Sequence, residues 1–227
     1  MSLIRWQTKK VKVDSEAPAK RLAAEGATEG TVLVSHPDGR SGLSLSVVLR
    51  PTDNGNWGLF PLIISFCTSE GIRKDTGIIT WLRWPDKVLV ERKVVAKTSV
   101  ARGSGAGSEW AVLTSRIRTK AEAGLGSDEC SLFDSLGVDL DPEFLADKIL
   151  ESISWMYSGW TRQMDDHILA RCRSMLDTIG RRIEISQEGS LRVGTVKDID
   201  DIGNLVVDFG GSMESITADD AARLREL

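Results

Sequence analysis

The chain has 227 residues, 41% of them apolar, which is enough for a sizeable buried core and suits one medium domain with a small appendage. Twenty-nine basic residues face 33 acidic ones, giving a net charge of −4. Bulk attraction to nucleic acid or to a bilayer is therefore not expected, and any anion site must be local.

VDSEAPAKRLAAEGATEG offers Asp14 or Ser15 as a cap, continues through helix formers with Leu22 and Ala23 on one side, and stops at Gly26 and Gly30, which predicts a short helix. TVLVS (31–35) and LSLSVVLRP (43–51) alternate as strands, and the turn-rich HPDGRSG between them predicts a hairpin. WGLFPLIISFCTSEGIRKDTG carries apolar residues at helical spacing, with basic residues near its end and a break at Gly77. IITWLRW reads as a strand and Pro85 as a turn. KVLV and KVVAKTSVA read as two more strands around the tight Glu91-Arg92 link. GSGAGSE (103–109) reads as a flexible hairpin loop leading into the strand WAVLTSRIRTK.

From DPEFLADKILESISWMYSGW to MDDHILARCRSMLDTIG the pattern is helical, with Asp141 as cap, Pro142 in the first turn and Gly180 as the stop. RRIEISQEGSLRVGTVKDIDDIGNLVVDFGGSMESIT then switches to short strands with Gly and Asp turns, the pattern of a small β-barrel. Two units are expected, residues 1–180 and 181–227.

Cys67, Cys130 and Cys172 are widely separated, without CxxC or histidine spacing, so neither a disulfide framework nor a metal site is signalled. The opening MSLIRWQTKKVKVD lacks an apolar signal core, and no run approaches the roughly 18 apolar residues of a membrane span, so a cytoplasmic chain with no membrane partner is expected. His36 and His167 are far apart with no partnered nucleophile, which disfavours a hydrolase triad.

The order of elements and several phrases together resemble the biotin protein ligases, relatives of the lipoate-protein ligases. RLAAEGATEGTVLVS is similar to that family's first helix and strand, LSLSVVLRP to its next strand, and WLRWPDKVLVERKV to the segment written KWPND, a strand, and then RK. ARCRSMLDTIGRRIEI and the Gly-punctuated end are similar to its closing helix and C-terminal domain. The resemblance implies an α+β fold: a mixed, mostly antiparallel sheet flanked by helices, plus a small C-terminal SH3-like β-barrel. It also implies ATP-dependent activation of biotin as an acyl-adenylate, with Mg2+, and transfer to a lysine of a biotin-carrier-type acceptor.

Activation builds negative charge on the α-phosphate and the departing pyrophosphate, where a fixed cation lowers the barrier. Lys93 matches the family's catalytic lysine wherever the one-residue deletion before it is placed, and Asp86 takes one of the two positions after WP. On a regular strand Lys93, Val95, Lys97 and Ser99 would share a polar face, opposite Val94, Ala96, Thr98 and Val100. Trp81 and Trp84 should point opposite ways, one to the core and one to the cleft wall, and Trp84 is counted with the substrate-binding residues.

Three family motifs are altered. The loop GRGRRGR, which wraps ligand and adenylate, shrinks to HPDGRSG, leaving Gly39, Arg40 and Gly42 as its remnant. The Ser-Thr-Asn that bonds the biotin ring is represented by VDSEAPA, where Ser15 survives and Glu16 cannot donate as an amide can. The Gly-Ile-Gly-Ile-Asn strand beside the ligand becomes Thr114-Ser115-Arg116-Ile117-Arg118, where the arginines need space a ligand would occupy and could bind an anionic group or a carboxylate bidentately. The loss of the Arg/Gly-rich loop argues against full ligase activity. Two functions follow: a biotin protein ligase type of enzyme, or a catalytically impaired relative that binds a small ligand or a protein. A DNA-binding role is disfavoured by the acidic total and by the ligase-like helix lying so near the start; a homodimer is compatible.

Overall fold

A computed structural model of the chain describes residues 4–36, 42–51, 56–121, 124–187 and 190–227. In chain order these form β1 (Gln7–Val11), α1 (Glu16–Ala24), β2 (Thr31–Ser35), β3 (Leu43–Leu49), a 3-10 turn at Trp57–Leu59 and α2 (Phe60–Thr76). Next come β4 (Trp81–Arg83), β5 (Lys87–Val90), β6 (Lys93–Gly105) and β7 (Ser108–Ile117), then α3 (Leu132–Leu136), α4 (Pro142–Trp160) and α5 (Asp165–Arg173). The last strands are β8 (Arg182–Gln187), β9 (Ser190–Ile199), β10 (Leu205–Asp208), β11 (Met213–Ile216) and β12 (Leu224–Glu226).

The first sheet runs β1-β2-β3-β7-β6-β5-β4, parallel only between β1 and β2. The second runs β11-β10-β9-β8-β12 and is antiparallel throughout. This is the mixed α+β fold with a small SH3-like C-terminal sheet that the sequence led us to expect.

One face of the large sheet meets α2, and α4 packs on α2 behind it. Helix α2 starts with Pro61 in its first turn and ends where Gly77 turns left-handed at φ 75°, its N–H returning to the Arg73 carbonyl. Apolar residues of both sheets, α2, α4 and α5 join one buried cluster. The opposite face carries α1, whose Ala19 and Ala23 lie on Leu33, Val48, Trp110 and Val112. Small residues let this short helix sit close to the strands.

The second sheet is fastened beside β4. Segment 175–177 covers the edge of β4, with Leu82 N–H donating to the Met175 carbonyl and Asp177 N–H to the Leu82 carbonyl. The Trp84 indole N–H donates to the Gly203 carbonyl at 2.9 Å, and the Asn56 amide donates to the Asp201 carbonyl.

Two local expectations change. The sequence does not predict strand β1, because Val11 is the one apolar residue of QTKKV; it forms as a mostly exposed edge strand paired to the buried β2. The 103–109 stretch is mostly strand, with the turn confined to Ala106 and Gly107. Position 103 of that strand is glycine because a Cβ there would collide with the Trp110 ring.

Gly71 marks the closest approach of α2 to α4: a Cβ there would overlap Ile149 Cγ1 and stand 3.0 Å from the Ile149 Cα and N. Gly71→Ala should therefore destabilise the fold by about 1–3 kcal/mol, against the small gain that alanine normally gives inside a helix. Urea unfolding monitored by tryptophan fluorescence reads the difference.

Candidate functional site

Directly opposed residues on neighbouring strands share a face. On the α1 side, Ser44 of β3 opposes Arg116 of β7, Arg116 opposes Lys97 of β6, and Lys97 opposes Lys87 of β5. One step along lie Leu33, Ser46, Thr114 and Ser99. The floor beneath the helix is thus apolar, and the floor beyond its N-terminus is polar. LSLS places two hydroxyls on this face because strand side chains alternate.

The hydroxyls form a ladder. Ser15, at the N-cap position of α1, does not cap the helix; its Oγ lies 2.8 Å from Ser44 Oγ and 2.7 Å from Ser46 Oγ, and Ser46 Oγ lies 2.8 Å from Thr114 Oγ1. All four side chains are buried. Ser44 Oγ donates to Asp14 Oδ2 at 3.2 Å. A carboxylate only accepts and each hydroxyl has one proton, so the direction is fixed: Thr114 donates to Ser46, Ser46 to Ser15, Ser15 to Ser44, and Ser44 to Asp14.

The ladder ends in an ionic clamp. Arg116 Nε donates to Asp14 Oδ2 at 2.7 Å and Nη2 to Asp14 Oδ1 at 2.8 Å, a bidentate pair, while Nη2 also reaches Glu16 Oε2 at 2.5 Å. Ser99 Oγ donates to the same Glu16 oxygen at 3.1 Å. Burial pushes the Asp14 carboxyl up, but the hydrogen bonds from Arg116 and the Glu16 backbone, the Arg116 charge and the Ser44 hydroxyl together outweigh it and hold Asp14 below its ordinary 3.8. The Arg116 and Asp14 side chains keep 39% and 38% of their surface exposed, so this pair adds only about 0–1 kcal/mol to the fold.

A second cluster adjoins it. Glu129 Oε1 takes Arg118 Nη2 at 2.6 Å and Lys97 Nζ at 3.2 Å. Burial raises the Glu129 carboxyl, and Lys97 and Arg118 bring the net shift below the ordinary value. The Asp86 carboxyl is pushed up by burial, against the pull of Lys87 and Lys97, and its backbone carbonyl holds the Thr98 N–H at 2.8 Å.

The structure brings Ser15, Thr114 and Arg116 into one site, with Arg118 and Asp86 at its margin. Arg40 lies outside the described residues. Gly42 lies at the start of β3, where a Cβ would stand 2.5 Å from the Ile117 carbonyl oxygen, so it serves close strand packing. Trp84 is buried in the main core with its indole N–H committed to Gly203, which takes it away from the cleft wall. Trp81, on the β4 edge, is the exposed one.

Lys93 does not share a face with Lys97. Leu89 pairs with Val94 but Val88 pairs with Ala96, so Val95 is an extra residue and the alternation breaks. Val95 and Ala96 both enter the core on the α2 side, and Lys93, opposite Val90, follows Val90 and Val88 to that side. Lys93 is exposed after the Glu91-Arg92 turn, beside Asp134. The cleft cations that sequence reasoning did not assign to the site are Lys97 and Lys87, and its missed carboxylates are Asp14, Glu16 and Glu129. The signal for Lys97 was its alternation with Ser99.

The biotin--[acetyl-CoA-carboxylase] ligase of Mycobacterium tuberculosis is 28% identical over 200 residues, covering 82% of this chain and 71% of that protein. The biotin protein ligase of Aquifex aeolicus superposes with a TM-score of 0.78 at 18% identity, covering 98% of this chain and 99% of the other. The chain is thus similar in sequence to one biotin protein ligase and shares the fold of another. A biotin protein ligase-like protein of unknown function from Silicibacter sp. superposes with a TM-score of 0.80 at 14% identity over 94% of each chain. No family model matches the sequence. Arg116, Asp14 and Glu16 stand in the segments that the resemblance assigns to ligand-binding glycines and to the ring-binding Ser-Thr-Asn. Among the described residues no helix is long and apolar enough to cross a membrane, and no group of three or more His, Cys, Asp or Glu is placed to hold a metal.

Asp14 has a folded pKa below its unfolded 3.8, so its contribution to stability is present above 3.8 and is lost as pH falls through the depressed folded value. Arg116→Gln should lower the urea midpoint at neutral pH, where it leaves Asp14 and Glu16 facing each other. The deficit should shrink below pH 3.8, where wild type loses the same interaction. Paired urea titrations at the two pH values check both halves.

Proposed function

We propose that this chain is a biotin protein ligase-like binding module whose cleft no longer activates biotin. The observation that carries the reading is the closed hydroxyl ladder in the segment that the resemblance gives to ring binding: the hydroxyls of Ser15, Ser44, Ser46 and Thr114 are buried and spend their protons on one another and on Asp14, which the Arg116 fork holds. A ring of amide-like groups needs free donors and acceptors, and leaving several unpaired costs on the order of several kcal/mol. Biotin does not fit these residues as they stand. The Aquifex aeolicus ligase has been solved with biotin and ATP and superposes with a TM-score of 0.76, which supports a fold able to hold such ligands and puts the weight of the reading on the side chains of this chain.

The ligase reaction is a second reading, favoured by the unbroken row of cations on the cleft face. On this reading a carboxylate other than biotin is activated with ATP and Mg2+ and passed to a lysine of a carrier-type protein. Lys97, or Lys87 beside it, supplies the fixed positive charge that the resemblance alone assigns to Lys93. Lys93 sits on the opposite side of the sheet and is the poorer candidate on geometry.

One experiment separates the readings. Pyrophosphate exchange into ATP is measured with biotin, lipoate and octanoate, and labelling of a biotin-carrier domain is followed alongside. No exchange with any of the three is expected. Biotin-dependent exchange and carrier labelling would overturn the binding-module reading. If octanoate or lipoate supports exchange, Lys97→Ala should reduce it by about 10²–10³-fold while Lys93→Ala leaves it standing.

A further inference from the structure

Arg116 already holds a carboxylate in the geometry a ligand would use. The Nε–Nη2 edge of its guanidinium makes two parallel bonds to the two oxygens of Asp14, at 2.7 and 2.8 Å. That edge is the arginine's carboxylate-recognition fork. The carboxylate seated on it comes from the segment just before α1, and the pair is more than a third exposed, so solvent and small solutes reach it.

We propose that Asp14 is a tethered stand-in for a small-molecule carboxylate, which binds head-first at Arg116 when Asp14 swings out. This rests on the reading of the chain as a binding module and names the ligand class of its cleft. Three observations fit together. Ser44 donates to Asp14 Oδ2 at 3.2 Å, so it can serve a ligand oxygen in the same place. Glu16 takes only the Nη2 corner and Ser99 stands 3.4 Å from Nη1, so the guanidinium stays oriented while the Asp14 edge is exchanged. Asp14 contributes no residue to α1 itself, and its one backbone tie there is the 3.1 Å acceptance of the Glu16 N–H, which leaves with Asp14 without breaking a helical bond.

A carboxylate fits better than a phosphate. Two acids already flank the single guanidinium, and a dianion would add charge beside Glu16 that the bidentate monoanion does not.

The test is calorimetric titration of octanoate, with inorganic phosphate as a parallel probe, into wild type, Asp14→Asn and Arg116→Gln. If Asp14 occupies the fork nine-tenths of the time, removing its charge should tighten octanoate binding about tenfold. Arg116→Gln should abolish binding, and Arg116→Lys, which lacks the fork, should restore it only in part. Circular dichroism checks that each variant is folded; should Arg116→Gln fail to fold, the comparison of wild type with the near-isosteric Asp14→Asn still decides the matter. Equal affinity in those two proteins, binding that survives in folded Arg116→Gln, phosphate binding as tight as octanoate, or no binding by Asp14→Asn would each overturn the proposal. Biotin-dependent pyrophosphate exchange would remove the binding-module reading, yet the dependence of octanoate binding on Asp14 would still be read separately.

Discussion

Cross-strand register decides what meets in this cleft. Four strands set Ser44, Arg116, Lys97 and Lys87 side by side on one face, and every polar contact nearby answers to that row. A guanidinium in the middle of a sheet face needs oxygen partners, and the segment entering α1 supplies them from Asp14 and Glu16. The same segment brings Ser15 down onto Ser44 and Ser46, so the hydroxyl ladder and the ionic clamp locate the start of α1 together. With the ion pair worth little at its exposure, the buried ladder is what orders the segment and the clamp is what makes it responsive to charge.

Most of the fold was legible because its signals are local. Alternation marks β2 and β3, Pro61 and Gly77 bracket α2, and Asp141 caps α4 by accepting from the Glu143 and Phe144 N–H groups. What was not legible depends on a neighbour. Strand β1 carries a single apolar residue, Val11, and exists mainly through its pairing with β2. Gly103 and Gly105 look like loop residues by composition, but they pair with β7 inside β6, at positions where the Trp110 ring and the Ala24 backbone leave no room for a side chain. Tertiary contact overrides composition at both places.

The site was legible in part for the same reason. Arg116 and Ser15 could be singled out from the motifs they replace, and both lie in the cleft. Lys93 could be matched along the sequence, but the extra residue Val95 inverts its face, and a bulge between Val88–Ala96 and Leu89–Val94 leaves no mark in a run of valines and alanine. Trp84 reads as a cleft aromatic until the second sheet offers Gly203 to its N–H. Each miss is a matter of which side a residue faces, and a one-residue change in register reverses that for everything beyond it.

The large sheet carries hydroxyls on both faces, and the two sets differ in how they end. On the α2 side they close on one another or on helix carbonyls: Ser65 with Thr98 at 2.8 Å, Thr68 with Ser115 and Ser69 with Thr80 at 2.6 Å. Their protons and lone pairs are spent within the interface, so they seal the helix to the strands and offer nothing outward. On the α1 side the chain of donors runs one way, from Thr114 to a carboxylate that half faces solvent. Such a ladder is satisfied by any acceptor at its end, and the identity of that acceptor can change without disturbing the hydrogen bonds behind it.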